Sequence, residues 1–100
     1  MYIRVIRARA NPGRVDEFAE QWRTDFAPRL AQVAGFRHGW FAGDRDLNTV
    51  AVVTVWDDLP RATVLGPLIS EFEEQVVGDL LAAPSVIEEY EILAEAESST

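Results

Sequence analysis

The sequence predicts an α+β fold in which strands and helices follow one another in the order β-α-β-β-α-β. Two regions repeat apolar residues at spacings of three and four, the pattern of a helix with one buried side. Four other regions are short, apolar and bounded by turn residues, as strands are. The most informative strand, Val50–Trp56, is apolar on both faces, so both sides of its sheet need a cover.

The first strand and the first helix are separated by a strong turn signal. We predict a strand from Tyr2 to Ala10, ended by Asn11-Pro12-Gly13. Asn11 can cap a helix and Pro12 suits the first helical position, so we expect the helix to begin there. Pro28 lacks a backbone N–H, so we expect a kink or a break at that point. The apolar stripe of this helix is Val15, Phe18, Trp22, Phe26, Leu30 and Val33.

The next two strands are predicted as a hairpin. Gly35 can end the first helix in a left-handed conformation. Phe36 to Ala42 then forms one strand, residues 43–46 form the loop, and Asn48 to Trp56 forms the other strand. Alternation places Val50, Val52 and Trp56 on one face. It places Ala51, Val53 and Val55 on the other.

The last helix and strand are predicted within residues 57–93. Asp57 and Asp58 begin a helical region with an acidic first turn, Gly66-Pro67 divides it, and Pro84 ends it. Its longer piece keeps helical spacing at Leu68, Ile69, Phe72, Val76 and Leu80. A final strand is predicted from Ser85 to Leu93. We therefore predict one domain over residues 1–94 and a disordered tail over residues 95–100.

This order of elements is that of ferredoxin-like folds. Connection rules place the first and third strands in the centre of a four-stranded antiparallel sheet, with both helices on one face. A chain of 100 residues has too few helices to cover the other face as well. We therefore expect a homodimer that forms through the open sheet face.

Composition and charge exclude several functions. The chain has no cysteine, which excludes disulfides, thiolate metal sites and thiol nucleophiles. Its net charge is −8 and it has no basic stripe, which argues against nucleic acid as a partner. No apolar run reaches membrane-spanning length and no signal-peptide pattern precedes the first strand. We therefore expect no membrane partner and a cytoplasmic location.

Three local signals coincide at spacings that resemble a known family. They are Asn11-Pro12-Gly13 with Phe18 and Trp22 on the following helix, Ala34-Gly35-Phe36 entering the second strand, and residues 53–57 at the end of the third strand. Over residues 2–93 the chain resembles the antibiotic biosynthesis monooxygenase family of the dimeric α+β barrel superfamily. The resemblance implies a homodimer with sheets packed face to face, and a pocket in each protomer between sheet and helices.

That superfamily contains cofactor-independent oxygenases of polyketide quinones, quinol monooxygenases, haem-degrading monooxygenases and proteins without a known activity. The fold does not select among them. Haem-degrading members have an Asn on the first strand and an axial His on the second helical segment, and this sequence has neither. We therefore expect no cofactor, and a chain with one histidine, His38, cannot form a multi-histidine metal site.

Two polar groups are candidates for catalysis. His38 lies between Phe36 and Trp40, and alternation places all three on one face, where His38 could accept a proton or orient a ligand. Arg4 and Arg7 lie on opposite faces of a central strand, where a buried arginine needs an acidic partner or an oxygen-rich ligand. The alternative for His38 is a hydrogen-bonded or partly exposed strand residue. The alternative for the two arginines is an ion pair, within the sheet or between subunits, with the last strand, which carries Glu88, Glu89 and Glu91.

The ligand-binding candidates are mainly aromatic: Trp40, Trp56, Tyr90 and Phe72, together with Arg7. For Phe72, as for Trp22, core packing is the simpler explanation. We predict a cofactor-independent monooxygenase acting on a small aromatic or quinone-like molecule in an apolar pocket. The alternative is a non-catalytic, small-molecule-binding or stress-related dimeric barrel; a regulatory domain of the ACT type has the same strand order.

Overall fold

Four strands form one antiparallel sheet in the computed structural model, which describes residues 1–58, 67, 70–72, 82 and 85–100. The strands are β1 (Tyr2–Arg9), β2 (Phe36–Asp44), β3 (Thr49–Trp56) and β4 (Val86–Glu91). Their order across the sheet is β2-β3-β1-β4, so β1 and β3 are central. The described helices pack on one face. The predicted α+β, ferredoxin-like fold is therefore confirmed.

The first helix starts later than the sequence predicts. Gly13 has a φ of +77°, and the Arg14 N–H donates to the Asn11 carbonyl at 3.0 Å, which closes a turn. The helix α1 (Val15–Gln21) can begin only after this turn. The prediction that Pro12 occupies the first helical position was therefore wrong.

Pro28 changes the helical register instead of breaking the helix. A π-helical segment, Trp22–Phe26, follows α1 and leads directly into α2 (Ala27–Leu30). Pro28 cannot donate a hydrogen bond, and its ring would clash with the Thr24 carbonyl four residues earlier in an α-helix. The Ala27 N–H donates instead to the Trp22 carbonyl, five residues back. The predicted break is therefore wrong, because one wider turn carries the helix past Pro28.

A β-bulge in β2 reverses one predicted orientation. Phe36 pairs with Trp56, but the next paired residue is His38, opposite Val55, so Arg37 is an extra residue in β2. The extra residue places Phe36 and His38 on opposite faces of the sheet. The prediction that His38 shares a face with Phe36 was therefore wrong, whereas His38 and Trp40 do share one.

Several element boundaries also differ from the predicted ones. The β2 strand continues to Asp44, and the hairpin turn lies at residues 45–48, where Asn48 has a φ of 56°. The Asp44 carboxylate stabilises this turn by accepting the N–H groups of Asp46 and Leu47 at 3.0 and 3.1 Å. Residues 92–100 have no regular secondary structure. Pro67 and Ser70–Phe72 are helical, and the predicted positions Leu68, Ile69, Val76, Leu80 and Pro84 lie outside the described residues.

The sheet has a core face and an open face. Burial along β3 alternates: Val50, Val52, Thr54 and Trp56 are buried on the core face, and the residues between them are half-buried on the open face. The core face carries the hydrophobic core: Ala10, Val15, Phe18, Trp22, Phe26, Leu30, Val50, Val52, Trp56 and Phe72. The predicted alternation of β3 is confirmed.

Candidate functional site

Arg4 is a charged residue within the buried part of the core face. Its exposed fraction is 4%, and its Nη2 lies 2.8 Å from Oε1 of Glu89 on the neighbouring strand β4. The register places Arg4 opposite both Thr54 and Glu89. The predicted ion pair with the last strand is therefore confirmed for Arg4, and register selects Glu89 from the three acids available.

A hydrogen-bonded chain of polar groups lies beside Arg4. The Trp56 Nε1–H donates to Thr54 Oγ1 at 2.8 Å, and that hydroxyl lies 3.5 Å from the Arg4 carbonyl. Trp56 is fully buried, and Phe36 packs edge-on against it with ring centroids 5.1 Å apart. The Nε1–H of Trp56 therefore already has its hydrogen-bond acceptor within the protein. Because the indole is also fully buried, it forms part of the packed interior of the core face.

The strand next to Arg4, β4, is an edge strand of the sheet. Glu89 has a side-chain exposed fraction of 36%. Ile87, on the same face of β4, is 46% exposed. The ion pair of Arg4 and Glu89 therefore joins a buried cation to a partly exposed carboxylate at the edge of the sheet.

An aromatic cluster lies on the same face, over β2 and β3. The Phe41 ring is 5.3 Å from Phe18 and 5.9 Å from Trp22, and the Phe72 ring is 4.9 Å from Phe26, measured between centroids. Phe72, predicted as a ligand-binding residue, is 8% exposed within this cluster. The cluster and Arg4 together give the core face an apolar region with one charged end.

The other predicted site residues lie on the open face. His38 and Trp40 have ring centroids 4.3 Å apart, and Trp40 is 50% exposed. Tyr90, at the opposite edge of the sheet, is 52% exposed. Arg7 lies between these two edges on β1. The structure therefore does not bring His38 and Arg4 together within one chain.

Arg7, Glu88 and Tyr90 form a connected polar group on the open face. Arg7 Nε lies 2.7 Å from Glu88 Oε1, and the Tyr90 hydroxyl donates to Glu88 Oε2 at 2.7 Å. The hydrogen bond from Tyr90, followed by the charge of Arg7, lowers the pKa of Glu88. The same hydrogen bond raises the pKa of Tyr90.

A shallow concavity of about 740 Å³ lies at one end of the open face. Its lining includes Arg7, Arg9, Ala42, Asp44, Ala51 and Val86. Among the described residues, no three histidines, cysteines or acids are grouped so that they could hold a metal ion. No helix within the described part of the chain is long and apolar enough to span a membrane.

Solved structures share this arrangement of strands and helices. A monooxygenase from the gene ActVA-Orf6 of Streptomyces coelicolor, determined with the ligand nanaomycin D, has a TM-score of 0.80 and 14% identity, over 98% of this chain and 92% of that chain. The fold is that of the antibiotic biosynthesis monooxygenases. A Bordetella bronchiseptica protein assigned to the antibiotic biosynthesis monooxygenases has a TM-score of 0.74 and 15% identity, over 93% and 98% of the two chains.

The same fold also occurs in proteins whose activity is unknown. The NE2512 protein of Nitrosomonas europaea, of unknown function, has a TM-score of 0.74 and 20% identity, covering 99% of this chain and 95% of that chain. No protein-family model matches the sequence, and no curated protein matches it. At these identities the likeness establishes the fold, and the activity has to be argued from the residues of the site.

Sequence reasoning missed one feature of the core face. Trp22 was interpreted as core packing, and its ring is indeed buried, but its Nε1 lacks an acceptor among the described residues. The spacing of apolar residues predicts that a side chain is buried and carries no information about its polar atom. Only the folded structure shows which groups surround that atom.

Proposed function

We propose that the protein binds a small aromatic or quinone-like molecule between the core face of its sheet and its helices, and oxygenates it without a cofactor. The observation that carries this proposal is the buried Arg4, which lies beside an apolar aromatic cluster and next to an edge strand. A cation in such a place stabilises an oxyanion strongly, because little water competes with it. The similarity to a monooxygenase determined with nanaomycin D supports the same reaction class.

The chemistry needs no further reactant besides molecular oxygen. In an aromatic ring ketone whose acidic methylene group lies across the ring from the carbonyl and is conjugated with it, loss of one proton leaves an enolate that can itself give electrons to oxygen. The methylene loses both of its hydrogens overall. One oxygen atom becomes the new carbonyl and the other leaves as water, so atoms and electrons balance.

In this proposal, Arg4 stabilises the negative charge of the enolate and Glu89 accepts the proton. The Arg4 guanidinium stabilises the enolate oxygen as it forms, which makes the methylene more acidic. The Glu89 carboxylate, 2.8 Å from that guanidinium, is placed to accept the proton. His38 lies on the opposite face, so we expect no role for it in this step.

The test is oxygen uptake with anthrone, a ring ketone with one acidic methylene group. We expect enzyme-dependent uptake of one O₂ per anthrone and formation of anthraquinone. The variant Arg4→Gln is expected to slow the reaction about 100-fold, which is the size of effect seen when one donor to an oxyanion is removed. Arg7→Gln is the matched control, because Arg7 lies on the same strand, on the opposite face, and also pairs with a glutamate.

Three outcomes would contradict this proposal in different parts. Equal rates for Arg4→Gln and Arg7→Gln would remove Arg4 from the reaction. Binding of anthrone without any oxygen uptake would favour the non-catalytic binding module instead. Loss of uptake in His38→Ala, with Arg4→Gln unaffected, would return the catalytic role to His38.

We further propose that a second copy of the chain covers the open face. The centre of this face consists of the half-buried Ile3, Val5, Val53 and Val55, and the exposed Trp40 and Tyr90 flank it. Apolar surface of this kind is usually covered by a partner. The chain has a net charge of −8, but Arg7 and Arg9 balance Glu88 and Asp44 on this face, so like-charge repulsion between two copies is small there.

A further inference from the structure

Trp22 contains a buried hydrogen-bond donor that is not used within the described part of the protein. The side chain is 8% exposed, and no acceptor lies within hydrogen-bond distance of its Nε1 among the described residues. Buried donors in native proteins nearly always have a partner, so each exception calls for an explanation. The buried Trp56 follows the usual rule, because its Nε1–H donates to Thr54.

The backbone that carries Trp22 is also unusual. Trp22 is the first residue of the π-helical segment, and its carbonyl accepts the N–H of Ala27 five residues later. Such wide turns are rare and occur frequently at functional sites. Pro28 accounts for the wide turn, because its ring would clash with a carbonyl in an ordinary α-helix. The π-helical turn then sets the backbone position from which the Trp22 indole extends.

The surroundings of the indole restrict what could supply the missing acceptor. The ring centroids of Phe41 and Phe26 lie 5.9 and 6.4 Å from that of Trp22. The surroundings of the indole are therefore apolar and aromatic, and such surroundings favour contact with a flat aromatic ring. A charged oxygen would lose its hydration among these aromatic rings, so a neutral carbonyl oxygen fits better.

We propose that Trp22 determines ligand specificity: its Nε1–H donates a hydrogen bond to a carbonyl oxygen of a flat aromatic molecule bound in the interior. This inference rests on the proposed function, because it requires that the interior binds such a molecule. The inference adds to that function that a carbonyl oxygen of the ligand is recognised, and that Trp22 recognises it. Trp22 is distinct in this role from Arg4, which acts on a developing negative charge.

The test is a titration of the full-length, ¹⁵N-labelled protein, observed through the indole N–H signals of its three tryptophans. The probes are 1,4-naphthoquinone and naphthalene, which have the same fused rings with and without carbonyl groups. The chain contains no cysteine and no lysine side chain that could react with the quinone. We expect naphthoquinone to move the Trp22 indole proton downfield, and naphthalene to leave it without this shift.

Two variants provide the matching affinity measurement. Trp22→Phe keeps an aromatic ring and removes the donor, and we expect it to weaken naphthoquinone binding about five-fold, the usual effect of one neutral hydrogen bond. Its affinity for naphthalene should change much less. Trp40→Phe is the control on the open face and should bind both probes as the wild-type protein does.

The outcomes separate the two proposals. If naphthoquinone binds while the Trp22 indole proton does not move, the specificity role is overturned, whereas the binding of a quinone-like molecule, which the proposed function requires, is retained. If neither probe binds the wild-type protein, the proposed function fails and this inference fails with it. The titration uses the wild-type chain, so it decides the matter even if Trp22→Phe does not fold.

Discussion

Two ion pairs connect strands β1 and β4, one on each face of the sheet. On the core face, Arg4 pairs with Glu89 at 2.8 Å and has 5% of its side chain exposed. On the open face, Arg7 pairs with Glu88 at 2.7 Å and has 60% of its side chain exposed. The partners, the strands and the distances are nearly the same, and burial is the property that differs.

That difference shows why the two arginines have different uses. Water screens the charge of Arg7, so its pair contributes little and can form and break freely. Arg4 is held in a largely dry environment, where its charge acts strongly on any group that comes near. In the proposed function, the core face therefore serves binding and chemistry, and a second copy of the chain covers the open face.

Replacing the tryptophans of the two faces should give the largest contrast. Trp56→Ala removes a fully buried side chain, and we expect it to lower the free energy of unfolding by about 3–5 kcal/mol. Trp40→Ala removes a half-exposed side chain and should act mainly on self-association. Urea denaturation followed by circular dichroism measures the first effect, and analytical ultracentrifugation measures the second. Similar unfolding midpoints for both variants would contradict the assignment of the two faces.

Replacing the two arginines sharpens the same contrast without removing a large side chain. Breaking a buried ion pair costs about 3–5 kcal/mol, and because Glu89 can regain water we expect about 2 kcal/mol for Arg4→Gln. Arg7→Gln should change the unfolding midpoint much less. The comparison is made by urea denaturation at neutral pH, and an equal loss in the two variants would contradict the account.

Thr54→Val tests the polar chain beside Arg4. The substitution keeps the shape of the side chain and leaves the buried Trp56 N–H without its acceptor. We expect the free energy of unfolding to fall by about 1–2 kcal/mol, the usual cost of a buried donor left unpaired. Thr49→Val, on the open face of the same strand, is the control and should have little effect. No loss in Thr54→Val would show that this hydrogen bond does not stabilise the packed interior of the core face.

Tyr90→Phe tests the open face and should have the smallest effect. The substitution removes the hydroxyl that donates to Glu88, so the pKa of Glu88 should rise towards its ordinary value of 4.5. A lowered carboxyl pKa stabilises the folded state above the ordinary value, and this contribution disappears as the pH falls through the lowered one. The wild-type advantage over Tyr90→Phe should therefore be present at neutral pH and vanish in acid. Carboxyl chemical shifts followed against pH measure the pKa directly.

The sequence predicted the elements and the faces of β3 because these depend on local periodicity. It located the disturbance at Pro28, but a missing N–H does not indicate whether a helix breaks or changes to a π-helical register. It could not place His38, because the extra residue at Arg37 depends on pairing with β3. It also could not choose among the three acids of β4, since that choice depends on strand register.

The central claim is that the core face binds a small molecule while the open face binds a second copy of the chain. Native mass spectrometry with 1,4-naphthoquinone, on the wild-type protein and on Val53→Lys, tests it most directly. Val53 lies at the centre of the open face, opposite Val5 and Trp40. A lysine there would place two positive charges against each other in a face-to-face pair.

We expect the wild-type protein to have the mass of two chains with naphthoquinone bound, and Val53→Lys to have the mass of one chain that still binds naphthoquinone. Wild-type protein at the mass of a single chain would contradict the role of the open face. A Val53→Lys monomer that is folded but no longer binds naphthoquinone would contradict the separation of the two faces.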